Sequence, residues 1–219
     1  MPNNRLVGTV ATQEEGTEMA PEASLAKAGP ETGGDGRRRD IIRAAARLLG
    51  EHGYAGTSMR DIAAAVGMLP GSLYYHFPSK DVLIEEIFNH GTAVLSAAIE
   101  SAIAGTEDPW ERLERACVTH LEAHLSDNTF ATVVASESLK SPPALRARLV
   151  DYRDRYESIF ATLVAALDLP DSIDRSIYRL SLLSTLNAVS AWYRPGGRSP
   201  AYIAHQIFAI YDHRVPAGR

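Results

Sequence analysis

The sequence predicts an all-α protein of about nine helices, on three observations. Apolar residues recur at spacings of three and four through most of the chain, the period of a helix with one buried face. No alternation of apolar and polar residues is long enough for a strand. Pro, Gly, Ser and Asp fall where such helices would start and stop. With 219 residues, 45% of them apolar and 22% charged, the chain has the material for a sizeable core.

Residues 1–36 read as a disordered tail, rich in Gly, Thr, Glu, Ala and Pro and closing on Gly33-Gly34-Asp35-Gly36. Met19 is a second candidate start. A first helix is expected over 38–51, with Ile41, Ile42, Ala45, Leu48 and Leu49 on one face and Gly53 just beyond its end. Ser58-Met-Arg-Asp61 fits a capping box at the start of a short helix over 59–66, which Gly67 stops. A third helix starts at Leu69 or Pro70 and ends by Phe77-Pro78. Longer helices follow over 80–103, 108–126, 143–168 and 172–193, with a short one over 128–139. Pro195-Gly-Gly197 breaks the chain before a last helix over 199–213.

Several classes are excluded by what the sequence lacks. No run of about 18 apolar residues marks a membrane span, and the start lacks the basic-then-apolar order of a secretory signal. A single cysteine, Cys117, rules out an internal disulfide framework. A cytoplasmic protein without a cofactor is expected, with no membrane partner.

Charge is uneven along the chain. Residues 37–81 carry seven cations against four carboxylates, a net of +3 in a chain whose total is −5. A basic island of this kind suits an anionic polymer, because phosphate neutralisation dominates nucleic-acid affinity. A solvated basic surface has the same composition. Inside the island, two short helices joined by Gly67-Met68-Leu69 have the outline of a helix-turn-helix. The second of them turns Leu73 and Phe77 inward and presents Gly71, Ser72, Tyr74, Tyr75 and His76 outward, groups suited to phosphates and base edges.

The run from Gly53-Tyr-Ala-Gly-Thr-Ser-Met-Arg-Asp-Ile-Ala to Gly71-Ser-Leu-Tyr-Tyr-His-Phe-Pro-Ser-Lys80 resembles the DNA-binding domain of the TetR family of bacterial transcriptional regulators. The match is ungapped from Arg38 to Leu83. The resemblance implies a repressor acting as a homodimer on a palindromic operator. It divides the chain into a DNA-binding domain over 37–83 and a helical ligand-binding and dimerisation domain over 84–215. Ser58 and Arg60 would then meet the phosphate backbone, and Pro70, Gly71, Ser72, Tyr74 and Tyr75 would approach bases or flanking phosphates. His76 would bond one phosphate and Lys80 would clamp another, while Arg37, Arg38 and Arg39 would form an arm near the minor groove. Leu69 departs from the family pattern, which has Ser or a similar small polar residue there. Two plainer readings stay open: Tyr74 as a packing residue, and the three arginines as a solvated helix start.

Trp192-Tyr-Arg-Pro-Gly-Gly197 is similar to the C-terminal region of a TetR subgroup that regulates fatty-acid and steroid breakdown in response to acyl-CoA thioesters. The turn would set the last two helices side by side, and two such hairpins would make a four-helix dimer interface. Leu180, Leu183, Val189, Trp192, Ile203, Ile207 and Ile210 are its candidate apolar residues, and intramolecular core is the competing role. A ligand cavity is expected between the central helices, lined by Phe88, Trp110, Cys117, Leu121, Phe130, Tyr152, Tyr156 and Asn187. Arg146, Arg148 and Arg153 are candidate contacts for a CoA phosphate. An acyl-CoA is the favoured effector; a planar drug or small aromatic acid, in a regulator of efflux or aromatic catabolism, is the alternative.

An enzyme reading rests on His120 and His124, four apart on one helical face as in some metal sites. The order His-Leu-Glu-Ala-His does not match the zinc-protease motif, and no third ligand is identifiable. Gly-rich phosphate loops and paired catalytic carboxylates are also missing. No catalytic residue is expected.

Overall fold

In a computed structural model, which describes residues 34–126 and 141–214, the described chain forms eight α-helices and no strand. They are α1 (Gly34–Gly56), α2 (Met59–Ala65), α3 (Pro70–His76), α4 (Lys80–Ile103), α5 (Pro109–Leu125), α6 (Pro143–Ala165), α7 (Arg175–Ala188) and α8 (Pro200–Tyr211). The expected helix over 128–139, and with it Phe130, lies outside the described residues.

The boundaries follow local chemistry. Regular helix in α1 breaks at Gly53, whose φ of 71° an L side chain rarely adopts. At the other end α1 extends to Gly34, so Arg37, Arg38 and Arg39 sit in its opening turns rather than on an extended arm. At α2 the Ser58 Oγ accepts from the Asp61 amide, and the Asp61 carboxylate accepts from the Ser58 amide at 2.8 Å, the reciprocal box read from the sequence. Gly67, at φ 64°, turns the chain into α3. Ser79, Asp108, Asp174 and Ser199 cap α4, α5, α7 and α8 through their side-chain oxygens. The helix read over 172–193 is shorter: α7 ends at Ala188, and a 3-10 turn over Val189–Ala191 tightens its exit.

The helices enclose two cores. One gathers Ile41, Ala45, Leu49, Ile62, Leu73, Phe77, Leu83, Ile84, Ile87 and Phe88 from α1 to α4, and closes with Leu145 and Leu149 from α6. The other gathers Ile99, Trp110, Leu113, Cys117, Leu121, Tyr156, Phe160, Leu182, Leu186, Ala204 and Phe208 from α4 to α8. Helices α4 and α6 therefore run through both. By length and composition α4 is apolar enough to cross a membrane, with 24 residues and a mean hydropathy of 1.2 over its most apolar stretch. Here it packs against α1, α5 and α6 as the central helix of the fold.

Candidate nucleic-acid interface and sensor core

The head presents α2 and α3 at its surface. Leu73 and Phe77 are fully buried and anchor α3, so the rest of this seven-residue helix faces out. Pro70, Gly71, Ser72 and Tyr75 are exposed, and Tyr74 is half exposed at 50%. A side chain at Gly71 would meet no atom within 4 Å, so the fold leaves open space there. Tyr75 stands edge-on to His76, with ring centroids 5.6 Å apart. Ser58 and Arg60 are exposed at the start of α2. The Ser58 hydroxyl also donates to Asp61 at 2.6 Å, which holds that carboxyl below its ordinary pKa.

Two expected contacts are engaged inside the head. The Lys80 ammonium donates to the Tyr54 carbonyl at 2.6 Å and to the Thr57 carbonyl at 2.9 Å, and it lies 3.8 Å from the Tyr54 ring centroid. The Tyr54 carbonyl lies in the last turn of α1, beyond its break at Gly53, and the Thr57 carbonyl lies in the link between α1 and α2. The half-buried Lys80 ammonium thus ties the start of α4 to the end of α1 and the link into α2. Arg38 lies 4.4 Å over the Phe77 ring, donates to the His76 carbonyl at 3.4 Å and pairs with Glu86. It braces α1 against α3 and α4. Arg37 and Arg39 are exposed on α1.

The candidate cavity residues divide between the two cores. Phe88 is buried in the head, and Tyr152 packs against the same cluster, so neither joins the expected cavity between the central helices. The reason is that α4 and α6 each serve the head at one end. Trp110, Cys117, Leu121 and Tyr156 lie in the second core, Trp110 edge-on to Phe208. Burial raises the Cys117 thiol pKa, which keeps it a neutral core group. Arg148 pairs with Asp81 and Glu85, Arg153 with Asp154 and Glu157, and Arg146 donates to the Ser141 carbonyl, so all three arginines have protein partners.

A polar cluster lies within the second core. Asn187 Oδ1 accepts from His120 Nε2 at 3.0 Å, which leaves Nδ1 to accept the Tyr156 hydroxyl at 2.6 Å. That tautomer is neutral, and burial lowers the His120 pKa to about 4. His124 stacks on His120 at 5.8 Å, nearly parallel, and its buried Nε2 has no hydrogen-bond partner. Because both His120 nitrogens are committed, the two rings do not open toward a shared metal. Among the described residues no three His, Cys, Asp or Glu side chains cluster as a metal site. No sequence pattern announces this cluster, because Tyr156 and Asn187 come from different helices.

The candidate dimer residues also divide. Leu180, Trp192 and Ile210 are exposed, Ile210 to 74%, whereas Leu183, Val189, Ile203 and Ile207 are buried within the chain. Ile177 and Tyr202, which the sequence reading passed over, are exposed as well. Trp192, Tyr202, Ile207 and Ile210 line a groove of about 360 Å³ between α8 and the link that precedes it.

Comparison with known proteins agrees with this architecture. Residues 41–87 match the model described as bacterial regulatory proteins, tetR family, and residues 106–213 match the tetracyclin repressor-like C-terminal domain. The HTH-type transcriptional repressor KstR2 of Rhodococcus jostii is 30% identical over 76% of this chain and 84% of its own. The crystal structure of AibR in complex with isovaleryl coenzyme A and operator DNA superposes with a TM-score of 0.70, at 25% identity over 80% of this chain and 97% of that one. The ketosteroid transcriptional regulator KstR2 of Mycobacterium tuberculosis gives 0.64, also at 25% identity, over 80% and 92%. With the helix-turn-helix, the helical domain behind it and these relatives agreeing over most of the chain, the protein belongs to the tetR family of bacterial regulatory proteins.

Proposed function

We propose that this regulator is a cytoplasmic homodimeric repressor that binds a palindromic operator and is released by a small ligand. The observation that carries the reading is α3 itself, anchored by Leu73 and Phe77 and otherwise turned outward with Ser72, Tyr74 and Tyr75. Hydroxyl groups on a short surface helix beside an open glycine can meet base edges and phosphates closely. Arg60 and Arg37 extend the positive surface around them. Lys80 and Arg38 act behind it, fixing the angle between α1, α3 and α4.

The exposed apolar residues Ile177, Leu180, Trp192, Tyr202 and Ile210 support pairing through α7 and α8. Pairing makes the second half-site contact intramolecular, which raises affinity by roughly 10²–10⁴. An acyl-CoA is the effector class this reading takes, supported by one structural relative, AibR, which was crystallised with isovaleryl coenzyme A. Its phosphates would have to compete with carboxylates for Arg148 and Arg153. The second core, with its neutral histidine cluster, suits the apolar end of such a ligand. A ligand that fits one spacing of the two heads better than another shifts operator affinity by that difference.

The test is operator release. Duplexes selected from a random pool by the full chain are titrated with a panel of acyl-CoA thioesters and, in parallel, aromatic acids. Release by a thioester at micromolar concentration supports the whole reading. Release by aromatic acids alone replaces the effector class, and failure to select any duplex rejects the DNA-binding role.

A further inference from the structure

Leu69 carries one more inference, which rests on the operator-binding reading above. It stands at the N-cap of α3 with 78% of its surface exposed, while its neighbour Met68 packs toward the head core. A helix start ordinarily needs a polar side chain there to satisfy free amides. Here that need is reduced: Pro70 has no amide hydrogen, and the Ser72 amide donates to the Leu69 carbonyl at 3.0 Å, beside the regular helical bond from the Leu73 amide at 3.3 Å. The Leu69 side chain makes no cap hydrogen bond and lies outside the core. It therefore serves neither the helix start nor the packing of the head.

Its position decides what it can touch. The N-terminal residues of a recognition helix are those that reach base edges. Leu69, Pro70 and Gly71 place no hydrogen-bonding side chain at that end. Among the groups that base pairs display in the major groove, the thymine C5-methyl is the apolar one. We propose that Leu69 is a specificity-determining residue that packs on a thymine methyl in each operator half-site. The polar readout falls to Ser72, Tyr74 and Tyr75 further along α3, and Leu69 fixes the base pair at the edge of their reach.

The experiment uses the full chain and a duplex that it selects from a random pool. Each thymine of that duplex is replaced in turn by deoxyuridine, which removes the methyl and leaves every hydrogen-bonding group in place. The wild type should lose about fourfold in affinity at one position in each half-site, the worth of one buried methyl. Leu69→Ala should bind the methylated and unmethylated duplexes equally at that position, and in a fresh selection it should accept other bases there. Because Leu69 is exposed, the variant should keep its helicity and its melting temperature. A wild type indifferent to every replacement overturns the inference, as does a loss that Leu69→Ala shares in full. Neither result touches the operator-binding reading. Failure of the wild type to select any duplex overturns that reading and this inference together.

Discussion

Arg148 on α6 reaches α4, donating to Glu85 at 2.6 Å and lying 3.7 Å from Asp81, whose other carboxylate oxygen accepts the Tyr54 hydroxyl at 2.7 Å. Next to it, Leu149 is buried in the head core. The first half of α6 is thus part of the reading head, although 63 positions separate Arg148 from Glu85 in sequence. A shift of α6 in the second core would be felt in the head core, since α4 and α6 run through both.

The two neighbours should separate clearly on substitution. Leu149→Ala should cost about 2–4 kcal/mol of stability, as for other buried leucines. Arg148→Ala, in a half-exposed ion pair, should cost less than about 1 kcal/mol while reducing ligand-induced release of operator. Thermal melts and release titrations on both proteins check this. Equal melting temperatures for the two would remove α6 from the head.

Lys80→Ala should destabilise the protein by about 2 kcal/mol, because two carbonyls lose a charged donor. The salt dependence of DNA binding should keep its slope, in contrast to the drop of roughly one unit expected when a phosphate contact is removed. Denaturation and salt titrations of one preparation distinguish the anchoring role from a phosphate clamp.

The proposed dimer seam offers a paired test. Ile210→Asp places a charge on an exposed residue and should yield folded monomers that bind operator at least tenfold more weakly, within the range set by losing the second head. Ile207→Asp puts the charge into the chain's own core and should unfold the domain, since a buried unpaired charge costs several kcal/mol. Sedimentation and circular dichroism read both outcomes. A dimeric Ile210→Asp would move the seam elsewhere.

His120 sets a pH dependence. Its pKa is about 4 in the folded chain and about 6.5 when unfolded. Between those values the unfolded state binds the extra proton, so stability falls as pH drops below about 6.5 and the loss levels off below about 4. The slope reaches at most about 1.4 kcal/mol per pH unit. Replacing His120 with Gln should flatten that stretch of the profile. A profile unchanged by the substitution would place the proton elsewhere.

How much of this was legible follows from where each signal resides. Capping residues, Gly67 and the apolar period are local, so α2, the turn and α3 were readable in the sequence. The two cores were not separable there, because Phe88 and Ile99 lie on one continuous helix with one apolar period. Leu145 and Leu149 joining the head is a long-range fact with no local mark. Lys80 and Arg38 were legible as cations beside a helix-turn-helix, but their partners inside the head lie far away in sequence and have no local mark. Ile207 and Ile210 are both apolar on the last helix, and only packing shows which is covered. Leu69 was visible as a departure from the family pattern, but its exposure was not.

Tyr74 gives the most direct test of the account. Its side chain is half exposed on α3, so Tyr74→Ala should leave melting temperature and dimerisation unchanged. Binding of a labelled selected duplex, followed by fluorescence anisotropy, should weaken by about tenfold or more, as expected when one base-edge contact of 1–3 kcal/mol is removed. Wild-type affinity in a folded, dimeric Tyr74→Ala protein would contradict the assignment of α3 as the reading helix.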